Sequence, residues 1–217
     1  MLLGHYGLAL AAKRVSRRTS LGTLILAAQW ADELWPVLLL AGAERVQVQP
    51  GRMAANALDF VSYPYSHSLL MLCVWGALLG GAYFAMRRYA RGAWIVGGLV
   101  VSHWVLDLIV HGRDLPLWPG SPTTLGLGLW NSVPGTLLAE FGLLVFGAVV
   151  YARTTKARDR IGSWGLWAMV VLLAAALLAG LAGPPPDART IAFSALGLWL
   201  FVPWGYWVDR HRTVEES

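Results

Sequence analysis

A chain of 217 residues that is 57% hydrophobic and only 13% charged is built for lipid, since a soluble domain carries about 25% charged residues. Its net charge of +5 sits in short basic clusters between apolar runs, so it forms no extended basic face and argues against a nucleic-acid partner. The single cysteine, Cys73, excludes an internal disulfide framework and leaves the redox compartment open.

Residues 1–12 are apolar but too short to cross a bilayer, and read as a half-helix that is re-entrant or lies in the interface. The basic residues Lys13, Arg14, Arg17 and Arg18 follow this stretch instead of preceding it, the reverse of a secretory signal. Six apolar segments long enough to span come next: 21–42, 67–86, 92–112, 133–152, 161–183 and 188–208. The fold class expected is therefore all-α: a single polytopic membrane domain of about six transmembrane helices plus the N-terminal half-helix.

The loops set its orientation. All 17 Lys and Arg except Arg45, Arg52, Arg113 and Arg189 fall in loops 13–18, 87–91 and 153–160 or in the C-terminal tail. The positive-inside rule puts those loops and the C-terminus in the cytoplasm and the longer loops 43–66 and 113–132 outside. Loops of about twenty residues are often functional, and Trp118 and Trp130 read as interfacial anchors there. Ser132 ahead of Pro134 reads as the cap of span four. Pro184, Pro185 and Pro186 predict a tight hairpin of spans five and six. The pairs Gly76 with Gly80 and Ala175 with Ala179 suit close helix packing in lipid.

Polar residues inside these spans carry the functional signal. His103, Asp107 and His111 recur every four residues and share one helix face. Span one holds Asp32 and Glu33 near its middle. Its aliphatic residues favour insertion by about 3–5 kcal/mol, while two central acids oppose it by about 5–7. It needs polar neighbours, a water-filled cavity or a cation, and Pro36 is expected to bend it. At ~1.5 Å per residue, His5, Asp32, His103, Asp107 and Glu140 lie about 12–23 Å from the cytoplasmic ends, and His67 and His111 near 30 Å at the outer mouth. His111, Arg113 and Asp114 are expected to meet water or headgroups there. Ser66 with His67 and Ser102 with His103 are adjacent pairs, and neighbours on a helix do not face each other.

Imidazole and carboxylate groups from several helices suit a divalent transition metal, zinc foremost, better than magnesium. A spare carboxylate, Glu33 or Glu140, is then placed to act as general base. The chain has neither a Cys-x-x-Cys, a His-Glu-x-x-His nor a Gly-x-Ser-x-Gly motif.

The stretches GHYG at 4–7, WADELWP at 30–36, YPYSHSLL at 63–70 and SHWVLDLIVHGRDLPLWP at 102–119 together resemble the bacterial inner-membrane family of membrane-bound metal-dependent hydrolases. The likeness covers roughly the first 120 residues; 133–208 carry none of it. It implies His5, Asp32, His67, His103 and Asp107 as metal ligands, with Glu33 the candidate base. The family shows Asp-x-Asp-His where this chain has Asp32-Glu33-Leu34-Trp35, which leaves one-metal and two-metal sites both open.

The expectation is a membrane-embedded, metal-dependent hydrolase of an ester or phosphoester, with membrane lipid as partner and a lipid or lipid-linked substrate. The rivals are an ion- or proton-coupled transporter, which needs a polar path to both faces, and a non-catalytic membrane scaffold. The oligomeric state is not legible.

Overall fold

Short polar residues start the helices, each accepting a hydrogen bond from an amide that has no helical partner. Ser20 accepts from Thr23, Ser68 from Met71 and Ser132 from Gly135, while Asp159 and Asp187 do the same for Gly162 and Thr190. A computed structural model describes residues 1–214. Its helices are α1 (Leu3–Ala12), α2 (Leu21–Ala28), α3 (Trp30–Leu40), α4 (Pro64–His67), α5 (Leu69–Arg87), α6 (Ala90–Val110), α7 (Val133–Thr154), α8 (Arg160–Ala182), α9 (Ala188–Leu196) and α10 (Phe201–Arg210).

The protein is an all-α polytopic membrane fold. Five helical segments are long and apolar enough to cross a bilayer, counting α9 through α10 as one, and α2 with α3 forms a sixth, bent by 57°. The bend falls at Gln29, between α2 and α3, and not at Pro36, which sits inside α3. α1 is buried inside the bundle instead of lying on its surface, against α7 and α2. Gly7 and Gly147 make this possible: a Cβ on Gly147 would overlap the Gly7 carbonyl. α5 and α6 are in similarly close contact, a Cβ on Gly76 lying 2.8 Å from the Gly97 carbonyl oxygen. Here the small-residue reading of Gly76 and Gly80 holds.

The long loops have structure of their own. β1 (Arg45–Val48) pairs antiparallel with β2 (Leu58–Ser62), and β3 (Leu115–Pro116) with β4 (Thr124–Leu125). A third pair, β5 (Thr155–Ala157) with β6 (Arg212–Val214), ties the α7–α8 connection to the segment after α10. Gly128, at φ +76°, turns its loop so that its N–H reaches the His111 carbonyl at 2.7 Å. This folds Trp130 over the His111 ring at a centroid distance of 4.3 Å. Trp130 is buried, so it caps the bundle interior instead of anchoring in headgroups, while Trp118 is exposed.

The hairpin expected of spans five and six does not close. α8 and α9 scarcely touch, although α8 packs on α10. The three prolines of the turn lack N–H donors, so no backbone hydrogen bond from them can draw the helix starts together.

Candidate metal centre

The break at Gln29 ends α2 and leaves the Ala28 carbonyl free to accept from His103 Nδ1–H at 2.8 Å. A carbonyl only accepts, so Nδ1 carries a proton and Nε2 is the nitrogen left to face the cluster. That Nε2 is buried and has no hydrogen-bond partner among the described residues. It lies 3.3 Å from Asp107 Oδ2 and 3.7 Å from Asp32 Oδ1.

His67 is oriented in the same sense by a different route. Glu44 is buried and accepts from the Tyr65 and Ser66 amides at 2.8 and 2.9 Å. The Ser66 hydroxyl donates to it at 2.6 Å. With its only proton used, Ser66 Oγ accepts from His67 Nδ1–H at 2.7 Å. His67 Nε2 then faces Asp32 Oδ1 at 3.4 Å and Asp107 Oδ2 at 3.8 Å. The adjacent Ser66 and His67 do meet, contrary to the helical expectation. α4 is a single turn that ends at His67, and Ser68 is already extended. The same break brings His67 down from the outer mouth into the bundle.

His111 joins them. Its Nδ1–H donates to Asp114 Oδ1 at 3.0 Å, a carboxylate that also accepts from the Tyr63 hydroxyl at 3.0 Å. Burial, with Asp114 adjacent, pushes the Tyr63 phenol well above its usual pKa, so it keeps the proton that it donates to Asp114. His111 Nε2 is 3.6 Å from Asp107 Oδ2. It is only 2% exposed, which overturns the reading of His111 and Asp114 as groups meeting water or headgroups. Phe60, Tyr63 and Trp130 pack on the His111 ring.

His5, on α1, reaches the other oxygen, Asp107 Oδ1, at 3.1 Å. Its ring stacks on His103 at 3.6 Å. The amino group of Met1 also donates to Asp107 Oδ1. The five residues expected as ligands are thus brought together. They form two overlapping sets that share His103: His5, His103 and Asp107, and Asp32, His67 and His103. Within each, one donor atom per residue lies within 4.8 Å of the others.

Two acids stand apart from this cluster. Glu140 Oε1 and Oε2 accept the Leu2 and Gly4 amides at 2.9 Å each. It caps α1, and so fixes the helix that carries His5. Glu33 is fully buried, and neither carboxylate oxygen has a hydrogen-bond partner among the described residues. Its position beside Asp32 turns it about 100° around α3, toward Tyr6 and Gln29, whose side-chain polar atoms are likewise unpartnered. Glu33 does not line the cavity that opens onto Asp32, His67, Asp107 and His111.

Glu44, Ser66, Tyr63 and Asp114 orient the imidazoles, and the sequence marked none of them for that task. The adjacency of Ser66 to His67 and the three-residue spacing of Asp114 from His111 are the available signals, and regular helix geometry hides the first. No protein-family model, curated protein or solved structure matches this chain, so the chemistry of the centre rests on its own donor atoms.

Proposed function

We propose that this is a membrane-embedded hydrolase that uses a divalent transition metal, zinc foremost, on an ester or phosphoester of a lipid or lipid-linked substrate. One observation carries it. Asp32 Oδ1, His67 Nε2, Asp107 Oδ2 and His103 Nε2 follow one another in a closed ring of contacts of 3.4, 3.8, 3.3 and 3.7 Å. Bonds of about 2.0–2.1 Å at tetrahedral angles set two donors about 3.3 Å apart. The donor atoms of Asp32, His67 and His103 lie within 4.8 Å of one another, and those of His5, His103 and Asp107 do so as a second set. As neutral rings the His67 and His103 imidazoles turn a lone pair toward carboxylate oxygens, an arrangement that a cation between them stabilises.

Asp32, His67 and His103 would hold a metal as one set, and His5, His103 and Asp107 as the other, with His103 common to both. An ion bound there supplies Lewis acidity and a water nucleophile at neutral pH. The chain's own contributions are distinct. Glu44 through Ser66, and the Ala28 carbonyl, lock two ligand tautomers. Trp130 and Phe60 shield His111, whose rings they approach at 4.3 and 4.8 Å. The His111 Nε2 lone pair is placed to take a proton at the cavity wall. Glu33, away from that wall, has no part in the proposal. The motif resemblance to membrane-bound metal-dependent hydrolases points the same way. The setting proposed is a bacterial inner membrane, with the basic loops and the C-terminus cytoplasmic and the cavity facing outward.

The test is elemental analysis of detergent-purified protein, followed by hydrolysis of a fluorogenic lipid phosphoester in nanodiscs with and without chelator. Stoichiometric metal, absent from His103→Ala and Asp107→Asn, with chelator-sensitive turnover, is expected. Folded wild-type protein that binds no zinc, manganese or iron would overturn the reading. Metal-dependent ion flux without bond cleavage would favour the transporter.

A further inference from the structure

We propose that the gap between α8 and α9 seats the hydrocarbon chain of the substrate, which enters sideways from the lipid with its head against the His–Asp cluster. The nature of the head rests on the hydrolase reading above; the chain seat does not. A cavity of about 550 Å³ runs from Asp107 and His67 to the Pro184–Pro186 turn, within the range of about 300–1,000 Å³ found for small-molecule sites.

Its two ends differ in chemistry. One is the polar cluster. The other is formed by Ala176, Gly180 and Gly183 from α8 and its end, facing Ile191, Ala195 and Leu198 from α9 and the turn after it. Each trio is spaced i, i+4, i+7, so each is a single helix face. Small residues in that pattern normally let two membrane helices touch. Here the helices scarcely touch, and a Cβ at Gly180 or Gly183 would meet nothing within 4 Å among the described residues.

The chemistry of the walls selects the occupant. Ser194 also lines the gap, but its hydroxyl donates to the Thr190 carbonyl at 2.9 Å. This wall therefore makes little polar demand, and a peptide or a sugar would leave its own polar groups unpaired there. A hydrocarbon chain leaving the bilayer loses nothing in such a slot, because lipid tails and aliphatic side chains are equally apolar. Ala57 and Phe60 of the 43–66 loop and the Pro184–Pro186 turn line the same cavity from the same side, so the cluster and the slot lie side by side and a chain passes from one to the other laterally.

The test reconstitutes the full chain in nanodiscs of phosphatidylethanolamine and phosphatidylglycerol containing a phosphatidylglycerol with a diazirine near its chain end. Cross-links are mapped by mass spectrometry. Wild type should be labelled within 176–183 and 191–198. Gly180→Trp should lose those adducts while retaining labelling around Leu178, which is 50% exposed. Ala195→Phe fills the slot from the other wall if Gly180→Trp fails to fold. Labelling confined to outward faces, unchanged in both variants, overturns the proposal. Metal content is measured on the same samples. Slot labelling of metal-free protein keeps the chain seat and removes the hydrolase, whereas metal-loaded protein without slot labelling removes only the seat.

Discussion

The α1–α7 half and the α8–α9 pair solve opposite problems in the same solvent. In the first, α1 is driven so close to α7 that glycine backbones meet, and α6 brings His103 and Asp107 against Asp32 from α3. In the second, two apolar helices stand apart beside the turn that joins them. Lipid explains both. Hydrocarbon solvates an apolar helix as well as another helix does, so α8 and α9 gain little by closing. It cannot solvate a carboxylate or an imidazole, so the polar half draws its ionisable groups together. Dense packing in this protein follows the buried polarity.

The largest break in that contrast is expected at Asp107, where His5, His67, His103 and His111 converge. Asp107→Asn should abolish metal binding and destabilise the detergent-solubilised protein by about 3–5 kcal/mol, as loss of one partner of a buried ion pair does. Elemental analysis and thermal unfolding read the two effects separately. Next comes Gly147→Ala, whose Cβ overlaps the Gly7 carbonyl. Separation of α1 from α7 should appear as loss of folded protein on size-exclusion chromatography. A normally folded variant would mean the two halves are packed alike.

A change one shell out is smaller. Glu44→Gln disturbs the acceptor that fixes Ser66 and His67, and metal affinity should fall about 10–100-fold without loss of the fold. Competition with a chelator of known affinity measures it. Glu140→Gln leaves one α1 amide facing a donor, and the melting transition should report a cost of about 1–3 kcal/mol. At the lower end is Gly142→Ala, on the same helix as Gly147 but with open space around it. Its stability should stay within about 0.5 kcal/mol of wild type. A large effect there would erase the distinction between the interlocked and the lipid-solvated surfaces.

Much of the site could be read before any coordinates. The i, i+4 spacing puts His103 and Asp107 on one face whatever surrounds them, and counting rise along each segment brings Asp32 and His5 to similar depth. His67 and His111 escaped that count. It assumes unbroken upright helices, and both residues lie where helix stops: His67 at the end of a one-turn α4, His111 just past α6. Glu33 went astray for the complementary reason. Depth along a helix says nothing about azimuth, and one residue of rotation turned it from the cluster toward Tyr6.

Composition and run length alone determined the solvent, the span count and the orientation expected of the loops, because hydrophobic thickness and charge placement are one-dimensional properties of a chain in a bilayer. Tertiary structure decided the rest. It put the bend at Gln29, where a freed carbonyl orients His103, and not at Pro36. It set Phe60 and Trp130 against His111, and it left α8 apart from α9. Each of these depends on which faces meet across segments distant in sequence, and hydrogen-bond satisfaction in a medium without water settles that only when the whole bundle is assembled.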